Sequence, residues 1–136
     1  LKDQPALTKK ISIVHGLVGE RQGSAKIFET DFHVMNAILT DAKSKGTEVH
    51  YIDLVSLYGD EVPEIDLLKC DIEGSELSFI ENYKDMLSKV VKSAVFEFHH
   101  DKYDPSLCFK LLKEAGFSNH KPLRDTSTFS VHFFWK

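Results

Sequence analysis

Four side chains in this sequence have types and positions that could do chemistry together: Asp71 and Glu73 in one stretch, Glu97 and His99 in another. Such a set could act in three ways. His99 or a carboxylate could take a proton from a hydroxyl or amine as a general base. The group could hold a divalent cation through hard oxygen ligands and an imidazole. It could also bind the polar groups of a small molecule with no part in proton transfer. Plainer roles exist for each residue. Acidic residues near the start of a helix are favoured by its dipole and free N–H groups, by a few tenths to about 1 kcal/mol. Glu97 could be an inward strand residue satisfied by a lysine or a backbone group.

The elements around these residues decide whether they meet. Ile65, Leu67, Leu68 and Cys70 form a short apolar run, the pattern of a strand covered on both faces. Asp71 and Glu73 stand where that strand ends, and Gly74 permits a tight turn. Leu77, Ile80, Tyr83 and Leu87 then recur at helical spacing. Ala94, Val95, Phe96 and Phe98 give a second strand, which ends in Glu97, His99 and His100. If the strands at 65–71 and 93–99 are parallel neighbours joined by a right-handed helical crossover over 75–88, their carboxyl ends lie side by side. Ligands bind at the carboxyl ends of strands in open parallel sheets. Asp71, Glu73, Glu97 and His99 are then expected to line one cleft.

The string Lys69-Cys70-Asp71-Ile72-Glu73-Gly74-Ser75-Glu76 resembles the "K-hydrophobic-D-hydrophobic-E-G-small-E" signature of the FkbM-type methyltransferase family. Asp53-Leu54-Val55-Ser56-Leu57 resembles that family's "T-L-D-x-L" element, and the strand carrying Glu97 and His99 resembles its "hydrophobic-E-hydrophobic-H" strand. The resemblance implies a Rossmann-like methyltransferase fold and S-adenosylmethionine as cofactor. It also implies O-methyl transfer to a small-molecule acceptor, a hydroxyl on a sugar or secondary metabolite. Asp71, Glu73, Glu97 and His99 are the candidate catalytic residues, and no metal ligand is assigned. Methyl transfer needs mainly alignment of nucleophile, methyl carbon and sulfonium, so positioning is a credible main contribution.

Composition bounds the alternatives. The chain has 136 residues, 42% hydrophobic and 28% charged, with a formal net charge of −4. That suits one globular domain over 1–136. There is no long basic patch, so no nucleic-acid partner is indicated. No apolar run is long enough to span a bilayer, and no signal peptide is visible, so no membrane partner is indicated either. Cys70 and Cys108 make no metal-type pair and look like small buried hydrophobes in a reducing, cytoplasmic compartment.

In chain order, residues 1–9 read as a lead-in. Ile11, Ile13 and Val14 start a strand reaching Val18, and Ala25, Ile27 and Phe28 suggest a second, so a hairpin is expected over 11–29. A helix is expected over 31–45, capped by Asp31 and ended by Gly46, with Phe32, Met35, Ile38, Leu39 and Ala42 on its apolar face. Val49, Tyr51 and Ile52 form a short strand, and Asp53–Tyr58 a helical turn. Asp104 and Pro105 open a helix that Gly116 stops. Phe117–Leu123 is extended, and Phe129, Val131, Phe133 and Trp135 mark a terminal strand. His100 reads as an exposed loop histidine. His15, His33, His50, His120 and His132 are scattered and take no role. The fold class is therefore α/β, a mixed sheet with a parallel core and an antiparallel C-terminal strand.

No G-x-G follows a strand anywhere in the sequence. In the fold that the resemblance implies, a glycine-rich loop holds the methionine part of the cofactor, and an acidic residue on the second strand binds the ribose. The chain is thus expected to be a truncated, partial methyltransferase domain lacking the N-terminal cofactor-binding strands. The strand at 65–70 becomes an edge, which attracts pairing. It is expected to be covered by the 11–18 strand or by a second copy of the chain, which makes a homo-oligomer the expected state. A catalytically inactive remnant serving as a binding or oligomerisation module is the alternative. A metal-dependent hydrolase built on the Asp/Glu/His cluster is a third reading.

Overall fold

The computed structural model describes residues 11–28, 37–38, 46–58 and 62–136. Two sheets are present among them. The smaller has the order β2-β1-β3, all antiparallel, from β1 (Ser24–Phe28), β2 (Ala37–Ile38) and β3 (Thr47–His50). A short helix, α1 (Leu54–Tyr58), follows it, capped by Asp53, whose Oδ1 accepts from Val55 N at 3.0 Å. The larger sheet has the order β4-β5-β7-β6 and carries the candidate site.

In the larger sheet, β4 (Ile65–Cys70) and β5 (Val91–His99) are parallel, joined by α2 (Glu76–Val90). Helix α3 (Pro105–Glu114) leads to β6 (Asn119–Asp125), which turns into β7 (Phe129–Trp135). β7 returns antiparallel between β5 and β6, with Phe96 opposite His132 and His99 opposite Phe129. The expected mixed sheet, parallel pair and antiparallel terminal strand are all present.

Sequence patterns explain these elements. On β5, Ala94, Phe96 and Phe98 are fully buried, alternating with half-buried Val95 and Glu97. On α2, Phe79, Ile80, Tyr83, Met86 and Leu87 recur at helical spacing and are buried against that strand face. On α3, Asp104 accepts from Ser106 N at 2.9 Å, Pro105 takes the first helical position, and Gly116 leaves the helix at φ 98°. Cys108 and Leu112 join the same core. Among the described residues no helix is long and apolar enough to cross a membrane.

The N-terminal expectations change most. The 11–29 hairpin does not form. Residues 11–15 have no regular secondary structure and no strand partner among the described residues, and Ile11, Ile13 and Val14 are exposed. Leu17 instead bridges in parallel to Tyr51, its N–H donating to His50 O and its carbonyl accepting from Ile52 N, both at 2.9 Å. β3 pairs with β1 instead, from Ser24↔His50 to Ile27↔Thr47, in the place expected for residues 11–18. Most of the expected 31–45 helix lies outside the described residues, but 37–38 are strand β2, paired with Ile27 and Phe28. The strand expected over 49–52 lies two residues earlier, running Thr47–His50.

β4 differs from its expected environment too. Leu67 is 59% exposed, so the strand is covered on one face only. The 11–18 segment does not pair with it, because Leu17 is already bonded along the continuation of β3. Among the described residues β5 is the only neighbour of β4.

Candidate functional site

The site begins where β4 stops. After Cys70 the chain makes a tight turn in which Glu73 (φ 54°) and Gly74 (φ 100°) are successively left-handed. A non-glycine residue in that region is uncommon and costs roughly 1–2 kcal/mol. The turn is paid back in hydrogen bonds by Glu76, the first residue of α2. Its Oε1 accepts from Ile72 N at 3.1 Å and Gly74 N at 3.2 Å. Ser75 N also donates to Ile72 O at 3.3 Å. Glu76 itself is completely buried.

The parallel register carries β5 to the same rim. Cys70 is level with Phe96, so Asp71 stands level with Glu97, which stays in β5 opposite Val131, and His99 ends that strand two residues on. The His99 ring lies between two glutamates, with Nδ1 3.2 Å from Glu76 Oε1 and Nε2 3.4 Å from Glu73 Oε2. Tyr103, just past β5, donates its hydroxyl to Glu76 Oε2 at 2.7 Å. Asp71 is ion-paired with Lys69 at 2.8 Å. Asp71, Glu73 and His99 each offer an atom, and the three lie within 4.8 Å of one another. Glu97 joins them through its charge, which helps raise the pKa of both Lys69 and Glu73.

A family model, that of the methyltransferase FkbM domain, matches residues 6–118. The chain belongs to the FkbM methyltransferase family. No curated protein and no solved structure matches it. The signature string of this FkbM chain, Lys69 to Glu76, is therefore the strand end, turn and helix start just described.

Electrostatics separate the roles these residues can take. Burial raises the Glu73 carboxyl above its ordinary value, the charges of Asp71, Glu97 and Glu76 add to this, and His99 opposes it. Glu73 thus keeps a proton more readily than a free glutamate. Burial pushes the Cys70 thiol well up, with help from Glu76 and Asp71, and Cys108 is raised to about 12 by burial and Glu76. Neither cysteine offers a thiolate nucleophile. Tyr103 is raised by burial and by its bond to Glu76, so its hydroxyl stays a donor. Two carboxylates and an imidazole are a set that could hold a hard or borderline cation. The Lys69 ammonium on Asp71 competes for that place.

Three of the four predicted residues, Asp71, Glu73 and His99, are within direct reach of one another, and Glu97 stands beside them. His100 is not a loose loop residue, since its Nε2 is 2.9 Å from Ser130 Oγ. Two residues were missed. Tyr103 gave no signal in the sequence. Glu76 did, because it falls on the apolar stripe of its own helix, three, four and seven positions before Phe79, Ile80 and Tyr83. A lone carboxylate on a buried helix face must find donors.

Proposed function

We propose that this FkbM chain serves the acceptor side of an S-adenosylmethionine-dependent methyl transfer, with the hydroxyl of a sugar or secondary metabolite as acceptor. The observation that carries this is the placement of His99 Nε2 at the carboxyl ends of two parallel strands, 3.4 Å from Glu73 and beside Asp71. The acceptor O–H would bond to Nε2. Its O–H bond breaks, the proton passes to the ring nitrogen, and the electron pair stays on oxygen as the nucleophile. Asp71, Glu73 and Glu97 orient neighbouring hydroxyls, and they favour the imidazolium once it forms. The parallel β4–α2–β5 unit with an antiparallel terminal strand is consistent with part of a Rossmann-like sheet. Two free, buried cysteines fit a reducing cytoplasm.

The turn at Gly74 does not furnish a cradle for the cofactor itself. Gly74, the glycine nearest the site, faces Lys102, whose Cγ would lie 2.6 Å from an added Cβ. No step is therefore assigned to residues gripping S-adenosylmethionine. Calorimetric titration with S-adenosylmethionine and a methylation assay on hydroxylated acceptors test the proposal. A defined heat and turnover, lost about 10²–10⁴-fold in His99→Asn, are expected for a general base. Turnover unchanged in that variant would end it.

One observation favours a second function, a silent binding or oligomerisation module. β4 pairs on one side only among the described residues, and Leu67 on it is exposed. An edge strand of this kind can pair with a second copy of the chain. No heat with millimolar S-adenosylmethionine, together with a dimeric mass in solution, would favour the module.

A further inference from the structure

We propose that Glu76 is a positioning residue that fixes His99 in the Nδ1–H form and leaves Nε2 as the one basic ring atom facing the cleft. The inference deepens the methyl-transfer proposal above and takes its chemical meaning from it. Lone-pair accounting carries it. Glu76 Oε1 faces three nitrogens: Ile72 N at 3.1 Å, Gly74 N at 3.2 Å and His99 Nδ1 at 3.2 Å. The two backbone groups are obligate donors, so Oε1 is an acceptor and has no room for a proton of its own. A carboxyl proton, if present, would sit on Oε2 against Tyr103, and Oε1 would still accept. In either state a bare Nδ1 would set its lone pair against that of Oε1. Nδ1 therefore carries hydrogen.

The consequence lies at the other ring nitrogen. The bond made by one nitrogen of a histidine sets which tautomer is present. Free histidine prefers its proton on Nε2, which would leave nothing basic at the cleft. Glu76 reverses that preference. It is buried and held by four groups from the turn, β5 and the following loop, so the ring orientation is fixed along with the tautomer. Nε2 is then the free acceptor of the ring, 3.4 Å from Glu73 Oε2 at the cleft.

Long-range ¹H–¹⁵N spectra of the full chain, with the histidine rings labelled and His99 assigned through His99→Asn, test this without turnover. At a pH where the ring is neutral, protonated Nδ1 and bare Nε2 are expected. Glu76→Gln should keep that pattern, because its carbonyl oxygen can take the place of Oε1 beneath the two backbone donors. Glu76→Leu should lose it, moving His99 to the Nε2–H form or to a mixture. A wild-type spectrum with Nε2 protonated overturns the inference, and it needs no variant to fold. So does a Glu76→Leu spectrum unchanged from wild type. Fixed Nδ1–H in a protein that methylates nothing would leave the role of Glu76 intact and end only the methyl-transfer proposal.

Discussion

Among single residues, Glu76 holds the most partners around the site, and its loss should be felt in stability before activity is considered. Glu76→Ala strips the acceptor from two backbone N–H groups, His99 and Tyr103. Leaving buried donors without an acceptor costs about 1–3 kcal/mol each, so urea denaturation should show a midpoint well below wild type. Glu73 should behave in the opposite way. Its folded pKa is raised, mainly by burial, so the fold binds its proton more tightly than the unfolded chain does. The stability it contributes is present below the unfolded value near 4.5 and is lost as pH rises through the higher folded value. The Glu73 side chain is still 48% exposed, so solvent screens the effect, and Glu73→Gln should be only slightly more stable than wild type at pH 8, with the difference shrinking toward pH 4. Urea midpoints across that range check it. A residue that weakens the fold at working pH is what a functional cleft tolerates.

At the scale of elements, α2 ties the two sheets together. Its N-terminus closes the site, and its middle reaches the segment joining β3 to α1 through Tyr83, which departs from helical geometry at φ −114°. The Tyr83 hydroxyl donates to Ile52 O at 3.0 Å and accepts from Leu54 N at 3.2 Å. Asn82 and Ser78 bond Gly19 O and Glu20 from the same helix. Tyr83→Phe keeps the ring in the core but leaves two backbone groups without that partner. It should cost about 1–3 kcal/mol by urea denaturation, and less if water replaces the hydroxyl. The helix periodicity, its partner strand and the Asp104–Pro105 start of α3 were legible in the sequence. Each rests on local spacing and capping chemistry that needs no distant contact. The 11–29 hairpin was misjudged for the complementary reason. Ile11, Ile13 and Val14 have a strand's composition, but pairing depends on which distant segment reaches β1, and that segment is β3.

For the whole molecule, the open question of assembly rests on one strand edge. β4 carries exposed Leu67 between Asp66 and Leu68, with Lys92 of β5 paired to Asp66 at 2.8 Å and also to Glu64. Charged groups along an edge discourage pairing, whereas an exposed leucine invites it. If a second copy covers this edge, light scattering at micromolar concentration should give twice the chain mass, and Leu67→Lys should return it to the monomer value. A monomeric wild type would set the homo-oligomer aside.

The sequence by itself determined the family, the parallel strand pair and the rim on which Asp71, Glu73, Glu97 and His99 stand. Those follow from a contiguous signature and from local periodicity, which the chain encodes residue by residue. Tertiary structure alone decided which ring nitrogen of His99 faces which glutamate, and that Tyr103 bonds to Glu76 beside it. It also decided that Leu17 bonds along the continuation of β3 and that β4 has β5 as its one neighbour among the described residues. Those outcomes depend on side-chain reach and on competition between distant segments for the same hydrogen bonds, which spacing along one chain does not record.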